Sequence, residues 1–238
     1  MSTAIIFYVE GPSERTLVKE VIGPHLSTLG IVWHDPILVA NSVRKHRTAR
    51  GGVRKYEPIK RDLQRLLSRG DDFILTTLID YYGRPVDFPS PPASIPAGAA
   101  PLVKAQAVEN AWAQDIDDPR FLPNLLLHEF ETLILSSPDS LLAGYPGEEA
   151  AISALQKDIS AFRNPEDIND NPATAPSKRI MRIFGEHHLK YDKVNGGTLA
   201  ILELGLDAIR RKCPKFDTWL ARLEFLAEGV REKAEPLE

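Results

Sequence analysis

Three sets of carboxylates stand where short apolar runs end: Glu10 with Glu14, Asp80, and Glu129 with Glu131. Oxygens from a few carboxylates, with positions left open for water and phosphate, make the kind of site that Mg2+ or Mn2+ occupies. An ion held there activates water and polarises a phosphate, so the chemistry within reach is phosphodiester hydrolysis. Taken singly, each acid has a plainer explanation, since Glu14 suits the positively polarised first turn of a helix. Taken together, uncompensated carboxylates at one edge repel one another and need a cation. Glu129 and Glu131 share a face if a strand runs through them but stand roughly 200° apart on a helix. Glu129 is favoured as a ligand, with Glu131 in support. His128 suits a metal ligand or proton carrier, and equally a hydrogen-bonded histidine at a strand end. Tyr81 and Tyr82 could stack on bases or simply pack.

The cations are also unevenly spread. The formal net charge is -4, which argues against a protein that coats nucleic acid by bulk attraction. Yet Arg44, Lys45, Arg47, Arg50, Arg54, Lys55, Lys60 and Arg61 crowd one stretch, with Glu57 opposing. Arg50, Arg54 and Lys55 are expected to hold the phosphate backbone and not bases, because Tyr56 is the one ring nearby. The plainer alternative is a solvated surface.

Elements of alternating type must position these groups. Ala4 to Val9, Ile37 to Val39, Phe73 to Ile79 and Phe121 to Leu127 read as strands, the third ending at Asp80. Ser13 is expected to cap a helix that begins at Glu14. Ile59, Leu63, Leu66 and Leu67 mark a second helix, and residues 105–112 a third. The proline-rich stretch from Gly83 to Pro101 excludes helix and central strand. It reads as a flap with little apolar material to anchor it, beginning beside Asp80. Beyond Pro138 helices are expected over 149–162, 178–184, 198–211 and 216–226. The predicted class is therefore α/β: a mostly parallel sheet flanked by helices over residues 1–137, with a helical portion over 138–238 packed on it. In such sheets ligands bind outside the carboxyl ends of the strands, which would bring the separated acids to one edge.

With 238 residues, 43% of them hydrophobic, the chain can bury a full core without metal or disulfide. The lone Cys213 reads as a packing residue rather than a nucleophile. The apolar start lacks a basic leader and a cleavage site, and no apolar run approaches the roughly 20 residues of a membrane span. A soluble, cytoplasmic protein is expected.

The strand followed by Glu10-Gly11-Pro12-Ser13-Glu14 resembles the Glu-Gly-x-Thr-Glu signature of Toprim domains in the overcoming-lysogenization-defect nucleases. The wider set, Asp80-Tyr81-Tyr82-Gly83, His128-Glu129-Phe130-Glu131, Pro176-Ser177-Lys178-Arg179 and Tyr191-Asp192-Lys193, resembles an uncharacterised domain family of Toprim-like bacterial proteins. The resemblance implies a Toprim-like catalytic core, with Glu10 and Glu14 as metal ligands and Asp80 as the first acid of an Asp-x-Asp pair. Tyr82 stands where the second acid is expected, unless Glu129 or Glu131 replaces it. Lys178 and Lys193 resemble the lysines that such nucleases place near the scissile phosphate. The reading is a divalent-metal-dependent nuclease acting on DNA, tRNA or other RNA, with Glu10, Asp80, Glu129 and Lys193 doing the chemistry. The resemblance further implies an ABC-type ATPase partner in anti-phage defence. The rival is a catalytically silent Toprim-like module that regulates such an ATPase. A homo-oligomer is left open.

Overall fold

The computed structural model describes residues 4–39, 55–70, 72–90, 95–96, 98–168 and 171–234, with side chains as far as 225. The sheet is built on two central strands, β1 (Ala4–Val9) and β4 (Phe73–Asp80). They pair in parallel from Ala4 opposite Phe73 to Val9 opposite Leu78. β2 (Val32–Trp33) and β3 (Ile37–Leu38) line the far side of β1, while β5 (Phe121–Leu122) and β6 (Leu125–Leu126) line the far side of β4. Every pairing among the described residues is parallel. A sheet of this kind is covered on both faces, and the continuous apolar run of β1 supplies both at once. Ile5, Phe7 and Val9 enter one apolar cluster, and Ile6 and Tyr8 the other.

The expected strand from Phe121 to Leu127 is split in two. Pro123 has no N–H to give the ladder, and Asn124 bonds instead to a side chain of β4. The Asn124 amide donates to Thr77 Oγ1 at 2.9 Å, and the same hydroxyl donates to the Asn124 carbonyl at 2.8 Å.

One face is covered by α3 (Tyr56–Leu67) and α4 (Pro101–Ile116), through Ile59, Leu63, Val108 and Trp112. The other face receives α1 (Pro12–Leu17), a π turn (Val18–Ile22) and α2 (Gly23–Thr28). The helix starts two residues earlier than the expected Ser13 cap allows. Gly11 is the cap, Pro12 takes the first position where its missing N–H costs nothing, and Ser13 is buried within the first turn. The helix widens at the π turn just before Pro24, which cannot donate to the preceding turn.

The C-terminal half is helical and shares this second core. α5 (Glu131–Ile134) is followed by a 3-10 turn (Pro138–Ala143), α6 (Glu149–Ile159), α7 (Pro176–Glu186), α8 (Thr198–Leu204), α9 (Leu206–Lys212) and α10 (Pro214–Ala234). Ile152, Phe184, Ile201 and Trp219 lie in one apolar cluster with Ile5 and Phe7, and the Trp219 indole donates to Thr76 Oγ1 of β4 at 2.9 Å. The helix expected over 198–211 breaks at Gly205, whose φ of 73° is costly for any side chain. Cys213 is fully buried beside Ser136, and burial raises its thiol pKa, as a packing residue requires.

The stretch after Gly83 is better anchored than its composition suggests. Phe88 is buried edge-to-face between Tyr56 and Trp112, at centroid distances of 5.0 and 4.7 Å. Among the described residues no helix is long and apolar enough to cross a membrane.

Candidate functional site

The register of β1 and β4 brings their ends together. Val9 stands opposite Leu78, so Glu10 emerges beside the last residues of β4, and its Oε2 accepts a 2.9 Å hydrogen bond from the Asp80 amide. The chain then turns through Gly11 into α1, which carries Glu14 back to the same edge and buries it. Gly83 lies against this group as closely as a residue can. A Cβ there would fall 2.8 Å from both carboxylate oxygens of Glu10.

The third pair of acids arrives from β6. At His128 the backbone turns left-handed, with φ of 65°, a conformation that histidine adopts more readily than most residues. The buried imidazole is held from both sides: Nε2 donates to the Glu166 carbonyl at 2.9 Å, and Nδ1 lies 3.1 Å from the Tyr82 hydroxyl. This turn separates the two glutamates. Glu129 Oε1 accepts from the Ser177 amide at 2.5 Å, at the start of α7. Glu131, the first residue of α5, is 1% exposed and accepts from the Tyr191 hydroxyl at 3.4 Å.

Lys193 closes the group from the opposite direction. Its Nζ stands 3.5 Å from Glu14 Oε1, 3.5 Å from Asp80 Oδ2 and 3.6 Å from Glu131 Oε2. The lysine opens a π turn (Lys193–Gly197) capped by Asp192, whose carboxylate accepts from the amides of Val194 and Asn195 at 3.0 and 3.1 Å. Tyr145 fixes the turn from outside, its hydroxyl accepting from the Asp192 amide at 2.6 Å. Its ring leaves no space for a side chain at Gly196.

The electrostatics follow from burial. Burial first, then Asp80 and Glu14, push the Glu10 carboxyl up to about 8. Burial likewise raises Glu131 to about 7, with Lys193 opposing and Glu129 and Asp80 adding to it. Glu14, Asp80 and Glu129 are raised as well, in each case chiefly by burial. Burial works against the charge of Lys193, but Asp80, Glu131, Glu14 and Glu10 outweigh it and hold the ammonium above the usual lysine range. One ammonium thus faces four carboxyls.

Two buried oxygens, Asp80 Oδ1 and Glu131 Oε2, lack a hydrogen-bond partner of normal geometry. Glu131 Oε2 has the Lys193 ammonium 3.6 Å away, and buried carboxylate oxygens held only by such an ion pair are of the donor type that hard divalent cations take. The spacing reflects the lysine. Oxygens 3.5 to 3.6 Å from Nζ lie outside the roughly 2.1 Å of Mg2+ coordination, and among the described residues no three His, Cys, Asp or Glu side chains are set to hold an ion as they stand. The Lys193 ammonium stands among these oxygens.

A family model described as a domain of unknown function, DUF4276, matches residues 9–224. The chain belongs to the DUF4276 family. Glu10, Glu14, Asp80, Glu129, Glu131 and Lys193 all fall within the DUF4276 span. No curated protein and no solved structure matches the chain.

The remaining sequence-predicted residues of this DUF4276 member divide as follows. Arg50 and Arg54 lie outside the described residues, and Lys55 is exposed just before α3. Lys178 is exposed on the first turn of α7 and takes part in none of the ion pairs of the cluster. Residue-by-residue reading missed Tyr145, the Ser177 amide and the capping role of Asp192. For Asp192 a signal exists, an acid placed just before a turn rich in Asn and Gly. For Tyr145 and Ser177 none does, because their partners lie 47 and 48 residues away.

Proposed function

We propose that this DUF4276 protein is a divalent-metal-dependent nuclease with a Toprim-like site at the carboxyl edge of its sheet. The observation that carries the reading is the imbalance of charge. Glu10, Glu14, Asp80 and Glu131 converge from the end of β1, from α1, from β4 and from α5 on the single ammonium of Lys193, leaving two buried carboxylate oxygens without a hydrogen bond. Structural ion pairs are usually matched, whereas an excess of buried acid is what a cation site requires. A Mg2+ or Mn2+ ion held by these four residues would supply the charge that acidifies a water and polarises a phosphate. The Asp80 amide keeps the Glu10 carboxylate turned toward the edge. Once released from the acids, the Lys193 ammonium would neutralise the charge that grows on the phosphate oxygens during attack. Glu129, tied to the Ser177 amide, serves to orient the α5 turn that carries Glu131.

The test is cleavage of end-labelled single- and double-stranded DNA and of RNA by the purified protein with Mn2+, Mg2+ or EDTA. Metal-dependent products, lost in Glu131→Gln, are expected. Intact substrate under every condition would remove the nuclease reading.

One observation favours the rival reading, a silent module that regulates an ABC-type ATPase. Tyr82, in the position of the second Asp-x-Asp acid, turns its hydroxyl to His128 rather than offering a carboxylate. Under that reading Lys193 is a permanent occupant, and a purified ATPase partner would change its hydrolysis rate on adding this protein while nucleic acid stays intact.

A further inference from the structure

Beside the acidic cluster lies a second feature of different chemistry. A cleft of about 350 Å³ is lined by Tyr82, Arg84, Val86, Pro89, Ser90 and Pro172, among others. That volume falls at the small end of ligand pockets. Its surfaces are flat. The Arg84 guanidinium lies 3.7 Å above the centroid of the Tyr81 ring and is pinned there by a hydrogen bond to the Tyr81 carbonyl. The Tyr82 ring is tilted 59° to that of Tyr81, making a corner, and Pro85, Pro89 and Pro172 also line the cleft. Arg84 is the one charged side chain in the described lining, so the cleft is cationic although the neighbouring cluster is acidic. Val86 stands fully exposed at 105%, which is unusual for an apolar side chain beside a cavity.

The cleft adjoins the candidate site through the chain itself. Tyr82 and Arg84 flank Gly83, the residue that touches the Glu10 carboxylate. We infer that this cleft receives one nucleobase of a strand, unstacked from its neighbours and laid against the Arg84 and Tyr82 planes while its phosphate lies toward the carboxylates. Aromatic and guanidinium planes accept any base through its face, so the contact is tolerant of sequence and selects flexible or single-stranded nucleic acid. The inference rests on the nuclease reading for the identity of the strand, but not for the binding itself.

The experiment therefore uses metal-free protein in EDTA. Adenosine and cytidine 5′-monophosphate are compared with ribose 5-phosphate, which carries the same phosphate without a base, by calorimetric titration or ligand-observed NMR. The nucleotides are expected to bind about tenfold more tightly than the sugar phosphate, the worth of one stacked base. Arg84→Ala should erase that preference. Val86→Asp, at a position too exposed to affect folding, should weaken nucleotide binding about tenfold by placing an anion at the mouth. Equal affinity for the nucleotide and the sugar phosphate, no binding of either, or a preference unchanged in both variants would overturn the inference. Base preference without metal-dependent cleavage would sink the nuclease reading alone, and cleavage without base preference would sink this one alone.

Discussion

The amide of Asp80 and the carboxylate of Glu10, 70 residues apart in the chain, are joined by a 2.9 Å hydrogen bond at the ends of two adjacent parallel strands. The bond is a consequence of register. With Val9 opposite Leu78, the first residue past β1 lies within reach of the last residue of β4. A one-residue slip would carry the Glu10 side chain to the other face and dissolve the cluster.

The buried acids give stability an unusual dependence on pH. Glu10 and Glu131 have folded pKa values raised from 4.5 to about 8 and about 7. A raised carboxyl contributes its stability fully below the unfolded value and loses it as pH climbs through the folded one. Lys193, also raised, keeps its charge across this window and contributes evenly. In EDTA the melting temperature should therefore fall between about pH 5 and pH 8, and even about 1 kcal/mol corresponds to ~2–4 °C in a domain of this size. Saturating Mn2+ should flatten the curve. A melting temperature that stays level or rises over this range in EDTA would show that the acids carry no unpaired charge.

Removing the ammonium exposes the same imbalance. Lys193→Met should destabilise the metal-free protein by about 2 kcal/mol, less than the ~3–5 kcal/mol typical of a fully buried pair, because the side chain is 35% exposed and partly screened. Mn2+ should then raise the melting temperature more in the variant than in the wild type, since the ion no longer competes with the lysine. Thermal scans across a Mn2+ series measure this, and a smaller rise in the variant would mean that Lys193 does not occupy the cation's place.

Not every buried acid belongs to the site. Glu166 accepts hydrogen bonds from the amides of Lys215 and Phe216 at 2.7 and 3.1 Å, holding the start of α10. Glu166→Ala leaves both donors without their partner, so a loss of about 1–3 kcal/mol is expected by urea unfolding. The Mn2+-induced stabilisation should be unchanged. A lost metal response at intact fold would place Glu166 in the site.

The sequence revealed those parts of the centre that depend on local pattern. Glu10 and Asp80 were legible because each ends an apolar run, and Glu14 because one helical turn separates it from Glu10. The choice between Glu129 and Glu131 was not, since it turns on the left-handed backbone of His128, which depends on partners at Tyr82 and Glu166. Lys193 entered through family resemblance alone, because its position depends on Asp192, Tyr145 and Gly196 closing a turn far from the sheet in sequence. The flap from Gly83 looked unanchored because Phe88 is a single residue among prolines, and its burial between Tyr56 and Trp112 joins elements distant in the chain.

Calorimetric titration of metal-free protein with Mn2+ decides whether the acids around Lys193 form a divalent-cation site. Saturable binding is expected for the wild type, with its loss in Asp80→Asn, a variant of nearly the same shape, and with the fold retained by circular dichroism. No binding by the wild type, or equal binding by the variant, would contradict it.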